Sequence, residues 1–298
     1  MGIREKGYYN WAGQLKVSGM NWFPIFRNGI EIAFKKKWSK MIFFFTFLPF
    51  AVFLLGIYVR SKPELKILSE LVALLENDAT IFNAFYSNGF LIFMLMIMCV
   101  FIGSELISGD MKFNAFSLYF SRPLDRKDYL MGKYSIIMFF LLLFTLAEGI
   151  FLLIFKFIFE GSISIDPRTL LMLIAVPVLI AMFFSSLSLM VSSISRNSTY
   201  VKILLFLIYV FSDTLAEILN GIFHNTYFFL FSIRRNIQLA SAYMFDTTPV
   251  EFNNVTREFY KVVPGWMSII IILAITLLSL YIMMNRIRKA EAQNAAGS

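Results

Sequence analysis

The chain of 298 residues contains a single cysteine and a single histidine. Cys99 cannot close a disulfide within the chain, and without a companion thiol it cannot hold a metal. It reads as a small apolar filler inside a hydrophobic run. His224, equally alone, rules out a multi-histidine metal site, and no Ser-His-Asp set is assembled. Charged residues are scarce too, at 15% of the chain, against about 25% in an ordinary soluble domain. The strings His-Glu-x-x-His, Gly-x-Ser-x-Gly and Glu-Glu-x-x-x-Arg are missing, so an intramembrane enzyme has no visible motif. The nucleotide-phosphate loop Gly-x-x-x-x-Gly-Lys-Ser/Thr is missing as well. Gly132-Lys133 lacks both the upstream glycine and the hydroxyl. The first 20 residues are mixed and polar with no apolar stretch before a small-residue cleavage site, so a cleavable signal peptide is not expected. No internal repeat is evident.

What fills the chain instead is apolar: 58% hydrophobic residues, with 35 phenylalanines. A hydrocarbon core of about 30 Å needs about 20 helical residues at about 1.5 Å each. Six stretches approach or reach that length: Met41–Val59, Gly89–Ile107, Tyr134–Phe159, Leu170–Ile194, Ile203–Phe223 and Pro264–Asn285. They are too long and unbroken for barrel strands, which alternate with period two. The expected class is an all-α membrane protein with six transmembrane helices. Residues 1–40 form an N-terminal segment with an interfacial helix, 41–285 the transmembrane domain and 286–298 a tail.

Six spans put both termini on one side. That side carries 18 Lys and Arg residues, and the other carries nine. The richer side is therefore read as cytoplasmic, in the cell (inner) membrane. The formal charge of +8 then reflects topology and anionic lipid, and no nucleic-acid partner is invoked. Before the first span, Trp22 to Phe34 mixes aromatic and apolar residues with charge and leads into Lys35-Lys36-Lys37, which suits a helix lying among headgroups with Pro24 in its first turn. In the loop Arg60–Asn88, Leu65 to Leu75 has the spacing of a short amphipathic helix. The loop His224–Val263 holds Tyr227-Phe228-Phe229-Leu230-Phe231, too short to span. It reads as a re-entrant or interfacial hairpin, with Asn254-Val255-Thr256 as an outward sequon.

The polar hinge between the second and third stretches, Ser117 to Lys133, faces the cytoplasm in this topology and offers something there a surface to push on. Glu105 closes the second stretch. Gly109 is expected to break the helix, and Asp110 to cap a new short one from Met111 to Phe120. Arg122-Pro123 stops it, Asp125 sits near the positive start of the next element, and Gly132-Lys133 leads into the third span. This hinge resembles the cytoplasmic loop of type-2 ABC exporter permeases. The matching residues are Glu105, Ser108-Gly109, Ser121-Arg122-Pro123-Leu124, Arg126, Tyr129 and Gly132-Lys133. Asp125 replaces the usual serine and keeps a capping side chain. Within that family the chain is loosely similar to the permeases of multicopper-enzyme maturation systems.

The resemblance implies a permease subunit of an exporter. Its short hinge helix would be a coupling helix docked on a separate cytoplasmic ABC ATPase, which binds the ATP and magnesium. This chain would bind no cofactor and catalyse nothing itself, and it would pair with a second copy or a related permease, in contact with membrane lipid. The coupling residues it implies are Glu105, Asp110, Phe113, Phe116, Tyr119, Arg122, Pro123, Arg126, Tyr129 and Lys133.

Three carboxylates fall inside the spans: Glu148, Asp213 and Glu217. A charge at mid-membrane costs about 2.5–3.5 kcal/mol on insertion scales. Asp213 and Glu217 are four apart and share a helix face. They either line a substrate or cation path or pair with side chains such as Ser212, Thr145 or Lys156. Ser185, Ser186, Ser188, Ser192 and Ser193 suit close helix packing. A non-transporting membrane anchor for an ATPase fits the hinge equally well, and an intramembrane enzyme fits least. The cargo is not legible.

Overall fold

A computed structural model describes residues 20–62, 77–120, 124–161, 165–247 and 259–296. Among these the fold is helical throughout, with no strand. The helices are numbered in chain order: α1 Phe23–Lys35, α2 Lys37–Ser61, α3 Asp78–Tyr86, α4 Gly89–Lys112, α5 Ala115–Phe120, α6 Arg126–Glu160, α7 Pro167–Ser192, α8 Ser198–Phe223, α9 Ile233–Phe245 and α10 Gly265–Ala296. A 3-10 turn, Thr226–Phe231, links α8 to α9. Five of them, α2, α4, α6, α7 and α10, are long and apolar enough to cross a membrane. The remaining expected span, Ile203–Phe223, lies within α8, which is 26 residues long and carries Lys202, Asp213 and Glu217. The amphipathic helix expected around Leu65–Leu75 and the sequon at Asn254 lie outside the described residues.

The spanning helices are not equally enclosed. The most apolar part of α4 is 61% buried and that of α7 is 56%, whereas α2 and α10 reach only 28%. The centre of the bundle is therefore α4 against α7, with α2 and α10 at its rim. Small residues bring the central pair together. A Cβ on Gly103 would stand 2.5 Å from the Ser188 hydroxyl. Ser192 bridges the two backbones: its Oγ accepts from the amides of Ile107 and Ser108 at 3.1 and 3.0 Å, and its hydroxyl donates to the Ser104 carbonyl at 2.8 Å. The serines of α7 thus substitute for packing bulk and satisfy backbone groups that lipid cannot.

Two π-helical turns interrupt the spans on either side of the hinge, Cys99–Gly103 in α4 and Leu143–Ala147 in α6. Such turns insert one extra residue and shift every side chain beyond them around the helix.

The N-terminal helix α1 has Pro24 in its first turn and ends where Lys36 turns extended, at φ −73° and ψ 127°. It lies directly on the hinge-side half of α6. A Cβ on Gly29 would meet Ile136 at 2.1 Å, and one on Gly132 would meet Ile25 at 2.9 Å and the Trp22 carbonyl at 3.0 Å. Phe26 meets Phe139 edge-on at 5.9 Å.

The opposite end of the bundle is closed by α3, the 3-10 turn and α9. Gln238 donates to the Ser87 carbonyl and Ser241 to Asn83, each at 2.8 Å, and the Tyr86 hydroxyl donates to the Leu173 carbonyl at 3.1 Å. Lys156 is 2% exposed; it pairs with Asp78 and lies 3.6 Å from Glu160, while Arg60 lies 3.6 Å from Asp78 and 3.5 Å from Glu160. Two cations and two anions so fasten the ends of α2, α3 and α6 with no net charge.

Candidate functional site: the hinge and the helix carboxylates

At the hinge the chain reverses between α4 and α6. The expected break at Gly109 does not occur. Helix α4 runs through Gly109 and Asp110 to Lys112, and the turn comes at Phe113-Asn114. Asn114 takes the left-handed conformation at φ 51°, which asparagine tolerates better than most residues. Gly109 keeps ordinary helical geometry with nothing within 4 Å of an added Cβ. The short helix is consequently Ala115–Phe120, four residues shorter at its start than Met111–Phe120. Asp110, inside α4, is no helix cap.

Asp110 is instead the centre of a fastening. Its Oδ2 accepts a hydrogen bond from the Tyr129 hydroxyl at 2.7 Å and pairs with the Lys133 ammonium at 2.6 Å. The same ammonium stands over the rings of Tyr119 and Tyr129, at 5.8 and 5.6 Å. Phe116 is 3% exposed and meets Tyr129 edge-on at 5.5 Å, and Tyr119 lies 5.3 Å from it. Burial, and secondarily the Asp110 charge, raises the Tyr119 hydroxyl above its ordinary pKa. Phe116 and Tyr119 of α5 therefore face its own spans. Asp125 precedes α6 with extended backbone (ψ 154°), and its carbonyl accepts from the Tyr129 amide at 3.0 Å, while its carboxylate makes no capping bond.

Glu105 performs a second fastening one and a half turns deeper. It pairs with Lys36 at the α1–α2 junction and with Lys202 of α8 at 2.5 Å. The hinge end of α4 is thereby tied to the N-terminal helix and to α8 together. Gly132, beside Lys133 in the sequence, allows α1 its close approach. Of the hinge residues singled out in the sequence, Glu105, Asp110, Phe116, Tyr119, Tyr129 and Lys133 are brought together as internal struts. Arg122 and Pro123 lie outside the described residues. Facing outward are Phe113 and Arg126, also singled out in the sequence, together with Lys112, Asn114, Asp125 and Lys127. Phe113 is 78% exposed, with the Lys112 ammonium 5.5 Å from its ring centre.

The carboxylates of α8 have partners that the sequence reading did not name. Asp213 accepts from Arg234 at 2.8 and 3.1 Å and from the Ser232 hydroxyl at 2.6 Å, with Arg235 at 3.6 Å. Glu217 accepts from Arg235 at 2.9 Å. Arg235 is 4% exposed and stacks on Phe229 at 3.9 Å. Ser212 donates to the Tyr209 carbonyl, Thr145 to the Leu141 carbonyl and Lys156 to Asp78. The signal available in the sequence was Arg234-Arg235 just past an aromatic run too short to span. Glu148 is placed apart from this cluster, buried in α6 directly after its π-turn. Among the described residues no group of three or more His, Cys, Asp or Glu side chains is arranged to hold a metal.

A family model described as ABC-2 family transporter protein matches residues 24–290. No curated protein matches the chain significantly. With nine-tenths of its length inside the match, the chain belongs to the ABC-2 transporter family, a membrane family of transport components.

Proposed function

We propose that this ABC-2 family member is the permease subunit of an exporter whose power stroke is supplied by separate cytoplasmic ATPase subunits. The observation that carries the reading is the hinge itself. A surface made of Phe113 and its charged neighbours is joined to α4 and α6 by a buried Asp110–Lys133–Tyr129 lock. A push on that surface is transmitted to two spans at once, and through Glu105 to α1 and α8. A loop that merely connected spans would not need to bury that ion pair and the rings of Phe116 and Tyr129.

In this reading α8 is the sixth span. Its Asp213 and Glu217 are neutralised by α9, which re-enters the bundle as part of the outer hairpin and covers its own backbone with protein. Both termini then face the cytoplasm. The outward apolar faces of α2, α8 and α10 are covered by lipid and by a second permease, identical or related. Glu148, Asp213 and Glu217 remain the candidates for the substrate path. ATP and magnesium belong to the partner.

Two purifications test this. The chain isolated from its native membrane should carry an ATPase and hydrolyse ATP. The chain alone, or with residues 112–127 replaced by a Gly-Ser linker, should not hydrolyse it. Hydrolysis by the linker-replaced chain alone would contradict the proposal. A complex that hydrolyses ATP but moves nothing across vesicles would favour the non-transporting anchor.

A further inference from the structure

Glu148 stands near the middle of its membrane helix. From Glu148 to Glu160, the end of α6, is about 18 Å at about 1.5 Å per residue. The side chain is 5% exposed, and neither carboxylate oxygen has a hydrogen-bond partner. Among the described residues the other buried charges are matched: Lys133 by Asp110 and Arg235 by Glu217. Lys156, about 12 Å further along the same helix, is held by Asp78 and Glu160. Arg60 at the end of α2 belongs to that same cluster. From α3 the nearest polar group is the Tyr86 hydroxyl, which touches the backbone at Gly149 and donates to the Leu173 carbonyl. No cation from α2, α3, α7 or α6 itself reaches Glu148.

An ionised carboxylate in such a place, unpaired and without hydrogen bonds, would cost far more than a bundle of this kind can retain. Leucine or glutamine would be cheaper to insert, so a carboxyl here marks a use. Its position supplies one. The π-turn Leu143–Ala147 ends at the residue before Glu148, and turns of this type are single-turn defects found frequently at functional sites. Closing the turn would rotate Glu148 relative to α2 and α7.

We propose that Glu148 is a proton-binding site in the membrane core of the permease, loaded with a proton in the conformation described here and exchanging it with water when α6 rearranges at its π-turn. The ligand is the proton, which neutralises a carboxylate that no hydrogen-bond donor reaches among the described residues. The proposal is independent of whether an ATPase docks at the hinge.

Infrared spectroscopy of the full chain in lipid tests it directly, as a difference between wild type and Glu148→Gln. At about pH 8, well above the ordinary glutamate value of about 4.3, the wild type should show the carbonyl stretch of a neutral carboxylic acid, which the Gln variant lacks. In D2O that band should shift, showing that the site exchanges. A difference spectrum with only ionised-carboxylate bands overturns the proposal. A neutral-acid band that never shifts in D2O also overturns it, since a sealed acid binds nothing. If the Gln variant does not fold, Glu148→Asp should move the band rather than remove it, and an unmoved band would assign it elsewhere.

Discussion

The residue whose loss should be felt most is Asp110. Its carboxylate pairs with Lys133, whose side chain is 9% exposed, and no other anion among the described residues does so. Asp110→Asn would leave a buried ammonium without a counter-charge, a change of about 3 kcal/mol. Tyr129→Phe removes one hydrogen bond and keeps the ring, a change of about 1 kcal/mol. Thermal unfolding of the detergent-solubilised chain should therefore rank the variants with Asp110→Asn well below Tyr129→Phe. Equal melting would mean that the lock contributes little. At α8 the same reasoning applies to Asp213→Asn with Glu217→Gln. The double variant strands Arg235, so its melting temperature should fall by several degrees. If melting is unchanged while cargo-stimulated ATP hydrolysis is lost, the pair serves transport instead of holding α9 in place. Phe116 changes meaning in the same way. A charge placed there would disrupt the packing on Tyr129 before it met any partner.

Among the elements, the contact of α1 with α6 and the turn after α4 depend on single small or permissive residues. Gly132→Val places a side chain against the Ile25 Cβ and the Trp22 carbonyl, both of which are fixed. Overpacking of this kind costs about 1–3 kcal/mol. It should expose the α1–α6 seam to faster hydrogen exchange, and unchanged protection there would contradict the packing. At the turn, Asn114→Gly should keep the left-handed backbone without strain, whereas Asn114→Val should lose about 1 kcal/mol or more from it. These positions also show what could be read from sequence. The apolar stretches and the polar hinge were legible from run length and punctuation. The point of reversal was not, because glycine at 109 is a generic breaker, whereas the helix end is decided by Asp110, held in α4 by Tyr129 and Lys133 from another helix. The partners of Asp213 and Glu217 escaped for a related reason. Arg234 and Arg235 follow a loop and a 3-10 turn, and nothing in spacing says that α9 folds back onto α8. The two π-turns left no mark in composition at all.

In the whole molecule, ionic fastenings sit at both ends of an apolar bundle. The hinge end has Asp110–Lys133 and Lys36–Glu105–Lys202, and the opposite end has Arg60–Asp78–Lys156–Glu160. Between them, α4 and α6 each carry a π-turn, so force applied at the hinge would meet stiff ends and a yielding middle. The measurement that tests this account most directly is photo-crosslinking in native membranes. A photoreactive amino acid is placed at Phe113, or at Phe231 on the opposite end; both rings are exposed, at 78% and 58%, so neither replacement should disturb folding. The account predicts an adduct from position 113, and not from 231, whose partner peptide carries the Gly-x-x-x-x-Gly-Lys-Ser/Thr string of a nucleotide-binding subunit. An ATPase adduct from 231, or none from 113 in a folded and ATP-hydrolysing complex, would contradict it.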